Sequence, residues 1–292
     1  MLVPLIESAP AKVNLTLRVL GRRADGYHDI ESLVAFADFG DRLGLTPGGE
    51  LALTLRGPGA ARAGADADNL VLKAARALAD RIPGITLGAF ELEKNLPVAA
   101  GIGGGSADAA AALRLLATAN DLAADDPRVD AAARASGADV PVCLHRQPRL
   151  MHGIGDELSA PLALPPLHAV LVNPGIALAT KDVFAGWRST PRPTPPLDIA
   201  AVRTVQSYEE FVQSISQQAN DLEDAAIELA PAIGEVLAAL RAMASCRLCR
   251  MSGSGATCFG LFDGAAAARS AAQALSNKNP QWWVRVCVLG NG

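Results

Sequence analysis

Pro97-Val98-Ala99-Ala100-Gly101-Ile102-Gly103-Gly104-Gly105-Ser106-Ala107-Asp108 is the stretch on which the reading of this chain turns. It follows a strand-like run, Phe90 to Leu96, and leads directly into an Ala/Leu-rich segment, Ser106 to Ala119, that reads as a helix. Four glycines in five positions leave no side chain between the backbone and a ligand. Successive N–H groups can then turn inward as an anion-binding nest, and the helix start behind them adds partial positive charge. A phosphate chain suits such a loop. The plainer alternative is a flexible turn capped by Ser106. A Walker A loop would end in Gly-Lys-Ser/Thr, and no lysine stands here. A dinucleotide loop would place a glycine where Ser106 stands. Asp125 lies at about the right distance for a ribose ligand, which keeps a nicotinamide oxidoreductase as an alternative.

Working outward, Ala11 to Leu20 reads as a strand with Leu15, Leu17 and Val19 on one face. Gly21 to Gly26 reads as a polar turn, Ile30 to Phe39 and Leu51 to Leu55 as further strands, and Asn69 to Asp80 and Arg128 to Ser136 as helices. Two proline clusters, Pro161 to Pro166 and Pro191 to Pro196, read as connectors because proline cannot donate to a ladder. Beyond them come a helix-rich stretch from Tyr208 to Met243, with Asn220 or Asp221 as a cap, and strands at Arg247 to Met251 and Thr257 to Phe262. A helix from Ala265 to Leu275 and a last strand at Trp282 to Leu289 finish the chain.

At 292 residues, 50% of them hydrophobic and 19% charged, the chain is long enough for about two domains and too apolar for disorder. Its net charge of −4 lacks the basic stripe of a general nucleic-acid binder, and no stretch has the length of a membrane span. The N-terminal residues lack an export pattern, so the expected location is cytoplasmic. The five cysteines are expected as free thiols. Cys246 and Cys249 have C-x-x-C spacing, but no second pair and no histidine pair follows, so they read as strand residues rather than a metal or redox site.

The segment Pro97 to Ala107 resembles the phosphate loop of the GHMP kinases. Pro10-Ala11-Lys12-Val13-Asn14-Leu15 is similar to that family's N-terminal motif, and Arg250 to Thr257 to its C-terminal glycine motif, whose small residues Gly253, Ser254 and Gly255 form a second turn. Arg22-Arg23-Ala24-Asp25-Gly26-Tyr27-His28, Gly137 to Val142 and Asn220 to Glu223 are similar to a subset of that family. Its members phosphorylate the 2-hydroxyl of a cytidylyl methylerythritol in the non-mevalonate route to isoprenoid precursors. Six segments match in family order. One departure is visible: Ala99 and Ala100 stand where the family often has glycine, and little loss is expected from them.

The resemblance implies a two-domain α/β (α+β) fold. A ribosomal-protein-like domain at residues 1–160 would carry the loop and the catalytic residues. A ferredoxin-like domain would occupy 161–292, with the site in the cleft between them. It implies ATP bound by Pro97, Val98, Ala99, Ala100, Gly101, Ile102, Gly103, Gly104, Gly105, Ser106 and Ala107, and Mg²⁺ with the triphosphate but no assigned protein ligand. It implies Asp139 as general base and Lys12 beside it, steadying the nascent alkoxide. On local grounds alone Asp139 would be a turn cap before Pro141 and Lys12 a solvated strand-end residue. Yet only five of the 26 basic residues are lysines, and Lys12 and Lys94 both fall in motif segments.

Asn14, Tyr27, His28, Lys94, Thr180 and Phe184 match substrate-binding positions. Tyr27 and Phe184 can sandwich a flat pyrimidine, and His28 can pair with its polar edge. Ser106 is expected to cap the helix and touch phosphate, and Asp108 to offset the helix dipole in the first turn. The partners implied are the small-molecule acceptor and ATP, with no nucleic acid and no membrane. A second GHMP kinase reading, with a different alcohol, leaves a base-stacking pocket without purpose. A non-enzymatic binding module would leave Lys12 and Asp139 without a joint one.

Overall fold

The computed structural model describes residues 4–64, 68–123, 125–189, 194–205, 207–290 and 292. The first elements in chain order are β1 (Leu5–Asn14), β2 (Arg18–Arg22), β3 (His28–Pro47), β4 (Ala52–Arg56), α1 (Ala60–Ala63), α2 (Leu70–Ala79), β5 (Gly88–Glu93), α3 (Gly104–Ala119), α4 (Pro127–Ser136) and α5 (Val140–His145). Then come β6 (Arg149–His152), β7 (Glu157–Leu158), β8 (Leu167–Asn173), α6 (Thr180–Gly186), α7 (Ile199–Thr204) and α8 (Tyr208–Ile215). The last are α9 (Glu223–Leu229), α10 (Ala232–Arg241), β9 (Cys246–Met251), β10 (Cys258–Phe262), α11 (Ala265–Lys278) and β11 (Trp283–Gly290). These form two compact units, both discontinuous in sequence. One holds the chain up to Lys12, Phe39–Val98 and Gly103–Arg146; the other holds Val13–Asp38, Ala99–Ile102 and Gln147–Gly292.

In the first unit the second half of β3 runs antiparallel to β5, from Arg42 opposite Glu93 to Pro47 opposite Gly88, and β4 pairs parallel with β5. Alternation puts Leu43 and Leu45 on the buried face. Asn69 caps α2 by accepting from the Val71 amide, a contribution of about 1 kcal/mol. The alanines and leucines of α3 are buried almost all round the helix, and their small size lets α2, α4 and α5 close on it.

In the second unit β8, β9, β10 and β11 form an antiparallel sheet in the order β11-β8-β10-β9. Chain order β8, helices, β9, β10, α11, β11 with this pairing is the ferredoxin-like arrangement expected for the C-terminal part. The helices α10 and α11 cover the sheet, and Val170, Val172, Leu237, Leu240, Phe262 and Leu275 fill the layer between. The first half of β3 pairs with β2, β6 and β11.

Several elements differ from the sequence reading. The strand expected over Ala11 to Leu20 is two, because the chain bends after Asn14: the Leu15 amide donates to Leu33 O and the Leu17 amide to Ala219 O. The strand expected over Ile30 to Phe39 runs on to Pro47. Leu222, not Asn220 or Asp221, is the N-cap residue of α9. Asn220 instead accepts from the Leu222 amide and donates to Met251 O and Gly253 O, while Asp221 accepts from the Val19 amide. Residues 191–193 of the second proline cluster lie outside the described residues; Pro161 to Pro166 has no regular structure.

Candidate active site

Strand β1 has six buried residues at its C-terminal end, and Lys12 and Asn14 are alternate residues there. In the first unit the Lys12 ammonium donates to Asp139 Oδ2 at 2.9 Å. Only 4% of the Lys12 side chain is exposed, against 37% of Asp139. The lysine is therefore a buried stem delivering its charge to a carboxylate that solvent-borne groups can reach. Asp139 precedes α5 but makes no side-chain cap bond to it, so the turn-cap alternative is not what the carboxylate does. Behind it, burial above all, with Asp139 adding, pushes the Cys143 thiol up to about 12, leaving it neutral.

The helix α3 starts two residues earlier than the sequence suggested. Gly103 is its N-cap, in the left-handed region at φ 63°, and Ser106 is the third helical residue rather than the cap. A Cβ on Gly103 would lie 3.1 Å from Lys12 Cε. The missing side chain thus lets the helix start close over the lysine stem.

One step along, a Cβ on Gly104 would lie 3.2 Å from Lys94 Nζ. Lys94 is buried, and its ammonium donates to Asp41 Oδ2 and, at 2.7 Å, to Asp108 Oδ2. Burial works against the Lys94 charge, but Asp108 and Asp41 outweigh it and raise the pKa. Burial pushes Asp108 up to about 7, with Lys94 pulling the other way. Asp108 is the fifth residue of α3 and fully enclosed, so it is an ion-pair partner rather than the first-turn dipole partner expected from sequence. Asp41 was not singled out in the sequence at all. Its signal was there: it shares a strand face with buried Leu43 and Leu45.

The second unit holds the remaining sequence-derived residues. Asn14 is 3% exposed; its amide donates to Ser252 Oγ at 3.0 Å and its carboxamide to Ser32 Oγ at 2.7 Å. Ser252 Oγ in turn donates to Gly101 O at 2.9 Å. A Cβ on Gly101 would sit 2.4 Å from Ser252 O, so the two glycine turns pack backbone to backbone. Ala99 has a φ of +52°, a conformation glycine would adopt without strain, so this departure from the family pattern does carry a local cost. Thr180 Oγ1 is 3.0 Å from Ser254 Oγ.

His28 stacks on Phe184 with ring centroids 5.0 Å apart and planes at 28°. Trp187 meets His28 edge-on at 5.8 Å, a contact not foreseen although Trp187 lies one helical turn beyond Phe184. Burial, then Arg22, lowers the His28 pKa from its ordinary 6.5. Tyr27 is 61% exposed. Cys246 and Cys249 are free thiols on β9. Among the described residues no group of three or more His, Cys, Asp or Glu side chains is placed to hold a metal ion, and no helix is long and apolar enough to cross a membrane.

Two family models match the chain: the GHMP kinases N-terminal domain over residues 69–147 and the GHMP kinases C-terminal domain over 199–281. A 4-diphosphocytidyl-2-C-methyl-D-erythritol kinase of Nitrobacter winogradskyi is 57% identical over 294 residues, covering 99% of this chain and 95% of its own. The chain belongs to the 4-diphosphocytidyl-2-C-methyl-D-erythritol kinase family. A kinase of the same description from Rhodopseudomonas palustris is 56% identical, with 95% of each chain covered. A crystal structure of a 4-(cytidine 5'-diphospho)-2C-methyl-D-erythritol kinase matches with a TM-score of 0.79 at 35% identity, covering 99% of this chain and 100% of the other. The 4-diphosphocytidyl-2-C-methyl-D-erythritol kinase fold is accordingly the mixed α/β GHMP fold with N- and C-terminal domains, and its phosphoryl donor is ATP.

Proposed function

We propose that this chain transfers the γ-phosphoryl group of ATP to the 2-hydroxyl of 4-diphosphocytidyl-2-C-methyl-D-erythritol, with Asp139 as general base and Lys12 as the charge beside it. The observation that carries the reading is the pairing of a buried lysine with a half-exposed aspartate 127 positions away in the chain, 2.9 Å apart. An alcohol attacks phosphorus well only as its proton leaves. The hydroxyl oxygen bonds to the γ-phosphorus, the bond to the β–γ bridging oxygen breaks, ADP departs, and the proton goes to Asp139. Lys12 stabilises the negative charge that develops on the attacking oxygen.

The loop Pro97 to Ala107 supplies backbone N–H groups to the ATP phosphates, helped by the start of α3. Mg²⁺ accompanies ATP as the counter-ion of its phosphates, where it neutralises charge; the described residues offer it no cluster of their own. His28 stacked on Phe184, with Trp187 edge-on to His28, is the aromatic group for a pyrimidine, with exposed Tyr27 next to His28 in the chain as a further ring. Asn14 and Thr180 meet the polar remainder of the acceptor. Lys94 is different: its ammonium is committed to Asp41 and Asp108. The proposed N- and C-terminal parts are 1–160 and 161–292, a reading supported by one family model matching within each range.

The test is ADP release from Mg·ATP by the purified chain with the cytidylyl acceptor, homoserine or mevalonate. Release with the cytidylyl acceptor alone is expected. Release with another alcohol would leave the fold and the base in place and discard the pyrimidine site.

A further inference from the structure

The glycine loop has two ends, and both are tied to one buried charge cluster. Before the loop, the amides of Asn95 and Leu96 donate to Asp41 Oδ1, at 2.5 and 2.8 Å. After the loop, Asp108 on α3 accepts from Lys94 Nζ. Lys94 joins the two by also donating to the second oxygen of Asp41. Lys94 is held in place at its own backbone, its amide donating to Arg56 O and its carbonyl accepting from the Gly59 amide. Asp41 and Asp108 side chains are 0% and 4% exposed, so these contacts are shielded from bulk solvent.

We propose that Asp41, Lys94 and Asp108 are positioning residues that fix the spacing between the two ends of the glycine loop, and that through it they set the affinity for the nucleotide. The proposal rests on the reading of Pro97 to Ala107 as the phosphate site. The arrangement is specific in three ways. Asp41 uses one oxygen for the two amides that lead into Pro97 and the other for the ammonium. Gly104, in the first turn of α3, has no side chain that would meet Lys94 Nζ, so the helix start rests against the ammonium itself. Asp108 Oδ1 is enclosed with no hydrogen-bond partner, so Asp108's hold on α3 runs through the oxygen that meets Lys94. A cluster that served only to fill the core would not need to reach the flanks of the loop on both sides. A backbone nest binds phosphate well only if its N–H groups are already aimed.

The experiment uses the full chain with Asp41→Asn, Lys94→Gln and Asp108→Asn, and reads ADP affinity by calorimetry, KM for Mg·ATP, KM for the acceptor, and thermal stability. In Asp41→Asn and Lys94→Gln we expect ADP affinity to fall and KM for Mg·ATP to rise about tenfold or more, with acceptor KM within about twofold of the parent. Asp108→Asn keeps the shape of the side chain, and a smaller change in the same direction is expected. A folded Asp41→Asn or Lys94→Gln chain with unchanged ADP affinity would overturn the proposal. Should those two fail to fold, Asp108→Asn and amide exchange of the parent chain decide it. Saturating ADP should slow exchange at Asn95 and Leu96 together with the loop glycines, and protection confined to the glycines would count against the coupling. A parent chain that binds neither ADP nor ATP would instead remove the phosphate-loop reading itself.

Discussion

Two lysines of the first unit differ in the surroundings of the carboxylates they meet. Lys12 and Lys94 are equally enclosed, each with 4% of its side chain exposed, and each lies under a glycine at the start of α3, Gly103 over the first and Gly104 over the second. The carboxylate that meets Lys12, Asp139, is 37% exposed. The partners of Lys94 are two, at 0% and 4%. A charge pair that leaves one carboxylate accessible can take a proton from an incoming hydroxyl. On the roles proposed for them, what separates the two lysines is not their own burial but the exposure of the carboxylates they meet.

Four experiments test these roles and the proposed acceptor site, beginning with the steepest expected loss. Asp139→Asn removes the proton acceptor while keeping the side chain's shape, and kcat is expected to fall by about a thousandfold with ADP affinity unchanged in calorimetry. Near-parent turnover would remove Asp139 as the base. Lys12→Met keeps the apolar stem beneath Gly103 and deletes the charge, so steady-state kinetics should show kcat about a hundredfold lower. Tyr27→Ala and Phe184→Ala each remove a ring from the proposed pyrimidine site, Phe184 also packing against the core, and each is expected to raise the acceptor KM about tenfold while KM for ATP stays put. The last is a pH effect of a few-fold. The His28 pKa is lowered in the folded chain, so the imidazole is neutral at neutral pH and gains its proton only below its ordinary 6.5. Because the folded value is the lower one, protonation opposes the native pocket, and acceptor binding should weaken as pH falls through that region. His28→Asn should flatten the acceptor KM profile, whereas a profile unchanged by the substitution would show that His28 does not face the acceptor.

Much of this was legible in the chain. Compact glycines before an alanine-rich segment gave the loop and the helix behind it, because both signals are local. The final β-β-α-β order was equally readable. The first strand of that sheet, β8 (Leu167–Asn173), was not, because it is buried at nearly every position and carries no alternation. The contact between Lys12 and Asp139 was not readable from either residue alone; it spans 127 positions and depended on the family resemblance. Asp41 was passed over because the strand was read only as far as Phe39, two residues short of it. Only its alternation with Leu43 and Leu45 marks it as facing inward. Ser106 was misplaced as a cap because a left-handed glycine had already started the helix, and glycine leaves no side-chain signature of doing so. Ala99 shows the converse: its φ of +52° is invisible in the sequence, where alanine argues for an ordinary backbone.

Lys12 is proposed to act on the chemical step and Lys94 on the nucleotide's seat. Single-turnover phosphoryl transfer with saturating Mg·ATP and acceptor, run on Lys12→Met and Lys94→Gln side by side, separates the two. Lys12→Met should remain about a hundredfold slow at saturation, whereas Lys94→Gln should recover to within a few-fold of the parent once ATP is raised far enough. Recovery of Lys12→Met, or a Lys94→Gln rate that stays low at every ATP concentration, would contradict the distinction drawn between them.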